Sequence, residues 1–233
     1  MSLLFNHPYK ALVIGSAGAI GQAFVDALQA DPLCQHVECV SRSLHGSFDL
    51  EDAQSIAATA QACRSAGPFH LLIDATGALM LAGVGPEKSL AALQQDHLAR
   101  AFQINAIGPA LVLRYFSPLL APGHAIYAKL SARVGSISDN KKGGWFGYRA
   151  SKAALNMLLQ TAAIELQRKN PALKVIALQP GTVQSALSKP FAAALDKLLA
   201  PQESVAGMLA AMQNLPAKQG AYFIDYKGQE IGW

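Results

Sequence analysis

A short apolar run at residues 10–14 leads directly into Gly15-Ser16-Ala17-Gly18-Ala19-Ile20-Gly21. An apolar run with no polar alternation reads as a strand buried on both faces. The glycines allow a sharp turn and a close approach of backbone to backbone. A helical pattern follows to about Ala30. A buried strand, a glycine turn and a helix open a β–α unit, whose next strand is brought round parallel to the first.

The rest of the chain repeats that alternation. Strands are expected near residues 36–40, 69–73, 125–130, 173–178 and 221–225, and helices near 51–65, 94–120, 148–169 and 202–212. Asp49 and Glu51-Asp52 put anions where the 51–65 helix starts, and Pro109 should bend the 94–120 helix. Strands alternating with helices imply a doubly wound parallel sheet with helices on both faces. Such a sheet takes ligands at the carboxyl ends of its strands. All 233 residues fit one α/β domain, with a nucleotide-type part over about 8–130 and a catalytic and substrate part over about 131–233.

Composition excludes several classes. The chain is 52% hydrophobic and 15% charged, but no apolar run approaches the roughly 20 residues that span a bilayer. Residues 1–9 lack the basic and apolar regions of a signal peptide, so a cytoplasmic location and no membrane partner are expected. The net charge of +4 is mild and no basic stripe is interleaved with aromatics, which argues against nucleic acid as a partner. Cys34, Cys39 and Cys63 form no CxxC and read as reduced thiols, and no metal site is expected.

The glycine turn carries chemistry. Gly15, Ser16, Gly18, Ile20 and Gly21 can bring main-chain N–H groups and a helix N-terminus up to a pyrophosphate, although a tight strand–helix turn alone would have the same spacing. An acidic residue at the end of the second strand would select NAD through its ribose 2′-OH. Ser41-Arg42-Ser43 stands there instead, and a cation with hydroxyls suits a 2′-phosphate, so NADP(H) is expected over NAD(H).

The second chemical feature is Tyr148 and Lys152, in Gly147-Tyr148-Arg149-Ala150-Ser151-Lys152. Residues four apart share a helix face. A free tyrosine has a pKa of about 10, and a nearby ammonium should lower it toward working pH. The pair can therefore move a proton at one reacting atom.

The glycine turn, Ala75-Thr76-Gly77, Asn105, Tyr148 with Lys152, and Pro180-Gly181 occur in this order. That set resembles the short-chain dehydrogenase/reductase family over nearly the whole chain. The runs 130–137, 143–149 and 225–231 are similar to its C-factor-like and sniffer-like carbonyl reductases. The resemblance implies a Rossmann-type fold and a set of roles. Tyr148 would be the general acid. Lys152 would lower the tyrosine pKa and hold the nicotinamide ribose. Asn105 would hold a relay water. Asp49 and Leu50 would lie at the adenine, with Ala75, Thr76 and Gly77 beside the cofactor. Pro180, Gly181, Thr182 and Val183 would fix the nicotinamide amide.

Three departures from the family pattern stand out. Ala19 stands where a glycine is usual, and Asp74 where an asparagine is usual. The family's serine pair maps onto Ser131 and Ala132, and the second of that pair is the one that orients the carbonyl. Successive strand residues face opposite ways, so Ser131 needs a bulge or twist to serve. Ser131 is the candidate and Ser136 the alternative, with Ser138 a further hydroxyl in the same loop.

Residues 182–199, with Leu187, Phe191 and Leu195, are expected to form a lid, and Trp145 and Phe146 to wall the pocket. These surfaces suit an apolar or aromatic carbonyl or alcohol. The resemblance also implies a homodimer or homotetramer through the helices at 94–120 and 148–169. Two functions remain open: an NADPH-dependent carbonyl reductase, and an NADP(H)-bound sensor or signalling protein with little turnover.

Overall fold

The computed structural model describes residues 4–46, 48–185 and 198–233. Among them, six parallel strands form one sheet: β1 (Tyr9–Ile14), β2 (Cys34–Val40), β3 (Leu71–Asp74), β4 (Ile126–Leu130), β5 (Lys174–Gln179) and β6 (Tyr222–Asp225). The spatial order is β2-β1-β3-β4-β5-β6. The direction of winding reverses between β1 and β3, which is where a sheet of this kind opens a crevice. Ile14 is in register with both Val40 and Asp74, Asp74 with Lys129, and Gln179 with Asp225. The carboxyl ends of the strands thus line up along one edge.

Alternate residues of each strand feed two cores. Leu12, Ile14, Leu72, Tyr127, Val175, Ala177 and Phe223 belong to one, beneath α2 (Ala53–Ala62), α4 (Gly108–Phe116) and α5 (Phe146–Gln167). Ala11, Val13, Ile73, Ala128, Ile176 and Leu178 belong to the other, with Phe24 and Leu28 of α1 (Ala19–Gln29) and Met208 and Met212 of α6 (Pro201–Gln213). Apolar residues on both faces explain the unbroken apolar strand sequences. Each large side chain buried in this way contributes about 1.5–3 kcal/mol.

The long helix expected at 94–120 is broken into parts. α3 (Gln95–Phe102) passes through a π-helical turn, Gln103–Ile107, into α4. α3, the π turn and α4 are contiguous, so Pro109 lies within one helical run, where a proline lacks the N–H for the bond back to residue 105 and crowds that carbonyl; the break falls in that turn. The break falls ahead of Gly108, whose Cα packs so closely on Leu50 that an added Cβ would lie 2.6 Å from the Leu50 carbonyl oxygen. β2 begins two residues earlier than expected, at Cys34. α2 is shorter than the 51–65 expectation and is capped by Asp52, whose carboxylate accepts from the Gln54 N–H at 2.8 Å.

Candidate active site

The glycine turn is built by contact as much as by flexibility. Gly15 has φ +82°, and a Cβ there would lie 3.1 Å from the Ala75 carbonyl carbon. A Cβ on Gly21 would lie 2.1 Å from the Gly15 carbonyl oxygen, so only glycine lets α1 sit on the turn. Gly18 is the N-cap of α1; no side chain caps the helix, and its first turn carries no acid. Its leading N–H groups and positive end face an approaching anion. Ala19 is exposed, so its methyl group does not crowd the turn. Ser16 is buried and donates its hydroxyl to the Val40 carbonyl at 3.2 Å, which ties the turn to β2. The residues present fit the pyrophosphate of a dinucleotide, because the cradle is one that a Cβ would fill.

At the end of β2, the buried Ser41 hydroxyl pairs with that of Ser43 at 2.9 Å, while Arg42 is exposed. Asp49 is exposed and accepts from the Glu51 N–H at 2.9 Å; Leu50 packs partly into the first core.

The other end of the crevice is a cavity of about 910 Å³. Of the expected residues, Ile20, Ala75, Thr76, Gly77, Ser131, Tyr148, Lys152, Pro180, Gly181, Thr182 and Val183 line it. Gly15, Ser16, Gly18, Gly21, Ser41, Arg42, Asp49, Leu50 and Asn105 do not, and of the two expected wall residues Trp145 lines it and Phe146 does not. Arg133, Lys141, Lys142 and Arg149 stand among its lining, with Asp139. Of the expected lid, Leu187, Phe191 and Leu195 lie outside the described residues.

Lys152 is buried, lies 5.8 Å from the Tyr148 ring centroid, and donates to the Leu130 carbonyl at 3.1 Å. Burial drives its pKa down to about 7, helped by the Lys129 charge and opposed by Asp74. Tyr148 moves the other way: burial pushes its pKa up to about 12. The expected lowering of the tyrosine by its lysine is therefore not a property of this chain by itself. A lysine that holds its proton weakly at neutrality supplies too little charge to outweigh the desolvation of a phenolate.

Asn105 lies in the π turn. Its side chain accepts from the Ala78 N–H at 2.9 Å and donates to the Ala78 carbonyl at 2.8 Å. Each end of the amide makes one bond to Ala78, which fixes the side chain across the π turn and leaves each end capacity for a second. Gly77 is a spacer: a Cβ on it would lie 3.2 Å from Asn105 Oδ1 and 3.4 Å from Lys152 Nζ.

Ser131 reaches the cavity wall, but its hydroxyl donates to Asn156 Oδ1 at 2.6 Å. Ala132 is extended (φ −154°, ψ 144°), so the strand alternation continues and no bulge turns Ser131 toward Tyr148. Ser136 donates to the Gly232 carbonyl and pairs with Ser138 at 3.2 Å, at the C-terminal segment. Each serine would have to give up a bond to meet a substrate.

Two supports were not foreseen. Glu87 is buried and accepts from the Gly147 N–H at 3.0 Å, capping α5 from another part of the chain, while its carbonyl accepts from the Trp145 N–H. Gly143, Gly144 and Trp145 are all left-handed (φ 64°, 64° and 54°). For Trp145 that conformation costs roughly 1–2 kcal/mol. It sets the indole edge-on to the Tyr148 ring at 6.2 Å. The other support is a buried ion pair, Lys129 Nζ to Asp74 Oδ1 at 2.9 Å. A lysine inside the apolar strand Ile126–Leu130, with an acid ending the strand at Asp74, was its one sequence signal.

The family model for short chain dehydrogenase matches residues 9–196. C-signal of Myxococcus xanthus is 33% identical over 72% of this chain and 94% of its own length. 1-hydroxy-2-glutathionyl-2-methyl-3-butene dehydrogenase of Rhodococcus sp. (strain AD45) is 31% identical over 66% of each chain. Carbonyl reductase Sniffer of D. melanogaster superposes with a TM-score of 0.82 at 20% identity, covering 97% of this chain and all of that one. The NADPH-bound carbonyl reductase from chicken fatty liver also gives 0.82, at 23% identity over 99% and 96% of the two chains, a likeness of fold. The family model spans most of the chain and C-signal is more than 30% identical over 94% of its own length, so the chain belongs to the short-chain dehydrogenase family.

Proposed function

We propose that this protein is an NADPH-dependent carbonyl reductase. The observation that carries the reading is that Tyr148 and Lys152 face one cavity whose wall at Ala75 also supports the glycine turn. The bound cofactor would supply the hydride for a carbonyl carbon. Arg42, exposed beyond β2, is the group suited to a 2′-phosphate, and this supports NADP(H) over NAD(H). Two relatives of the fold are described with NADP or NADPH bound.

Tyr148, held protonated by its raised pKa, donates its proton to the substrate oxygen. Lys152, close to half-protonated at neutrality, stands beside it as the next proton source and as a donor to ribose hydroxyls. Pro180, Gly181, Thr182 and Val183 offer backbone and hydroxyl contacts to the nicotinamide amide. Positioning supplies the rest of the rate, by holding two reactants in attack geometry. With Ser131 bonded to Asn156, the carbonyl is held chiefly by Tyr148.

Leu79, Leu130, Val134, Trp145 and Val183 give the cavity apolar walls, suited to an apolar or aromatic carbonyl. Lys141 and Lys142 at its mouth favour an anionic tail on the substrate over a cationic one. Exposed Ile107, Met157, Leu158 and Ile164 on the outer faces of the π turn and α5 suit a homo-oligomer. The unpaired thiols accord with a reducing cytoplasm.

The test is NADPH oxidation with a panel of apolar and aromatic carbonyls. Tyr148→Phe should lower kcat by about 10²–10⁴ while NADPH affinity changes little. Wild-type turnover in that variant would sink the reading. A sensor of the cofactor is the second reading, favoured by Ala132 and by the engaged Ser131 hydroxyl. It predicts tight NADPH binding, no turnover on any carbonyl, and no effect of Tyr148→Phe.

A further inference from the structure

Asp74 and Lys129 have no part in the roles set out above, yet both are fully buried at the carboxyl edge of the sheet. They lie opposite one another in register on β3 and β4. Lys129 Nζ donates to Asp74 Oδ1 at 2.9 Å, to the Thr76 carbonyl at 2.6 Å and to the Thr76 hydroxyl at 2.9 Å. Thr76 in turn gives its N–H and its hydroxyl to the same Asp74 oxygen, at 2.9 and 2.6 Å. Donors and acceptors close into a ring that fixes Ala75-Thr76-Gly77.

That turn touches both halves of the site. On one side it meets the glycine turn, where a Cβ on Gly15 would lie 3.2 Å from the Thr76 nitrogen. On the other, Gly77 backs onto Lys152 Nζ and Asn105. The ammonium of Lys129 is therefore anchored to the backbone that separates the two.

We propose that Asp74 and Lys129 form a positioning couple for the site: it pins the 75–77 turn between the glycine turn and Lys152, and it holds the Lys129 ammonium near Lys152. Of the other charged groups around Lys152, Lys141 and Lys142 are exposed on the cavity lining, and Arg149, on the same helix as Lys152, donates to the Gly143, Gly144 and Val134 carbonyls. Tyr148 shares its helix. Arg133, on the turn after β4, is paired with Asp139 and Asp225 at 3.5 and 3.1 Å. Lys174, at the far end of β5, donates to the Leu215 carbonyl. Lys129 and Asp74 are the charges that act on Lys152, and the cation acts more strongly than its partner.

The couple is tested on the free protein by following the ¹³Cε resonance of Lys152 in lysine-labelled protein through a pH titration, the signal being assigned by its loss in Lys152→Met. The wild type should titrate near 7. Lys129→Met, which leaves the Asp74 anion alone beside Lys152, should raise that midpoint by about one unit or more. Asp74→Asn/Lys129→Met, with no buried charge left unpaired, should raise it by less. If Lys129→Met does not fold, the double variant decides alone. A midpoint unchanged from wild type in the folded variants overturns the couple. This titration does not depend on the reductase reading, which stands or falls on Tyr148→Phe turnover. Where the wild type turns over, the alkaline fall of kcat/KM for carbonyl reduction should move upward with the same substitutions, and a fall that stays in place overturns the couple's bearing on Lys152 during turnover.

Discussion

The two ends of the crevice are made by different means. At the β1–α1 turn the working surface is backbone: the Gly15 and Gly18 N–H groups are spent on the Val40 and Gly15 carbonyls, the first turn of α1 presents its own N–H groups, and what matters is that no Cβ intrudes. At the Tyr148 end the working surface is side chain: a phenol, an ammonium and a carboxylate–ammonium couple, most of it removed from water. A backbone site is specified by glycine spacing and by the close contacts that spacing allows. A site of buried ionisable groups owes its proton affinities to everything packed around it.

That contrast can be pressed hardest at Lys129. Lys129→Met strands the buried Asp74 carboxylate and should cost about 3–5 kcal/mol in chemical denaturation, whereas Asp74→Asn/Lys129→Met should recover most of it. Equal losses in the single and double variants would mean that volume, not charge, dominates there. At the backbone end, Gly21→Ala forces a methyl group against the Gly15 carbonyl. Overpacking of this kind costs about 1–3 kcal/mol. The same variant should weaken NADPH binding in a fluorescence titration without moving the Lys152 midpoint.

A third test uses pH. Lys152 carries a folded-state pKa of about 7 against an ordinary 10.5. Between those values the unfolded chain binds the extra proton, so stability rises with pH through that window, by at most about 1.4 kcal/mol per unit. Lys152→Met should flatten the rise measured by urea unfolding at a series of pH values; an unchanged slope would place its source elsewhere. The smallest effect is expected at Arg42. Because it is exposed, Arg42→Ala should raise the Kd for NADPH by a factor of about two to five, about 0.5–1 kcal/mol, and leave that for NADH unchanged. Equal loss for both cofactors would remove Arg42 from the 2′-phosphate.

Much of the fold is legible in the sequence. The expected strands all recur, within two residues at either end, because an apolar run between turn residues is a local signal. The glycine turn was legible for the same reason. The π turn at Gln103–Ile107 was not: Pro109 announced a bend, but periodicity gave no sign of a widened turn there or of the close packing of Gly108 on Leu50 beside it. In the site, the Tyr148–Lys152 spacing was visible, but not the direction in which the tyrosine titrates.

What the sequence determined by itself is what depends on residues close along the chain: strand and helix alternation, the spacing of Gly15, Gly18 and Gly21, and the four-residue step from Tyr148 to Lys152. What only the tertiary structure decided joins residues far apart. Lys129 meets Asp74 across 55 positions, and Glu87 caps α5 at Gly147 across 60. Ser131 spends its hydroxyl on Asn156, 25 positions on. Tyr148 and Lys152 take their proton affinities chiefly from burial. Burial and long-range pairing are properties of the packed chain, because desolvation depends on what surrounds a group rather than on what precedes it.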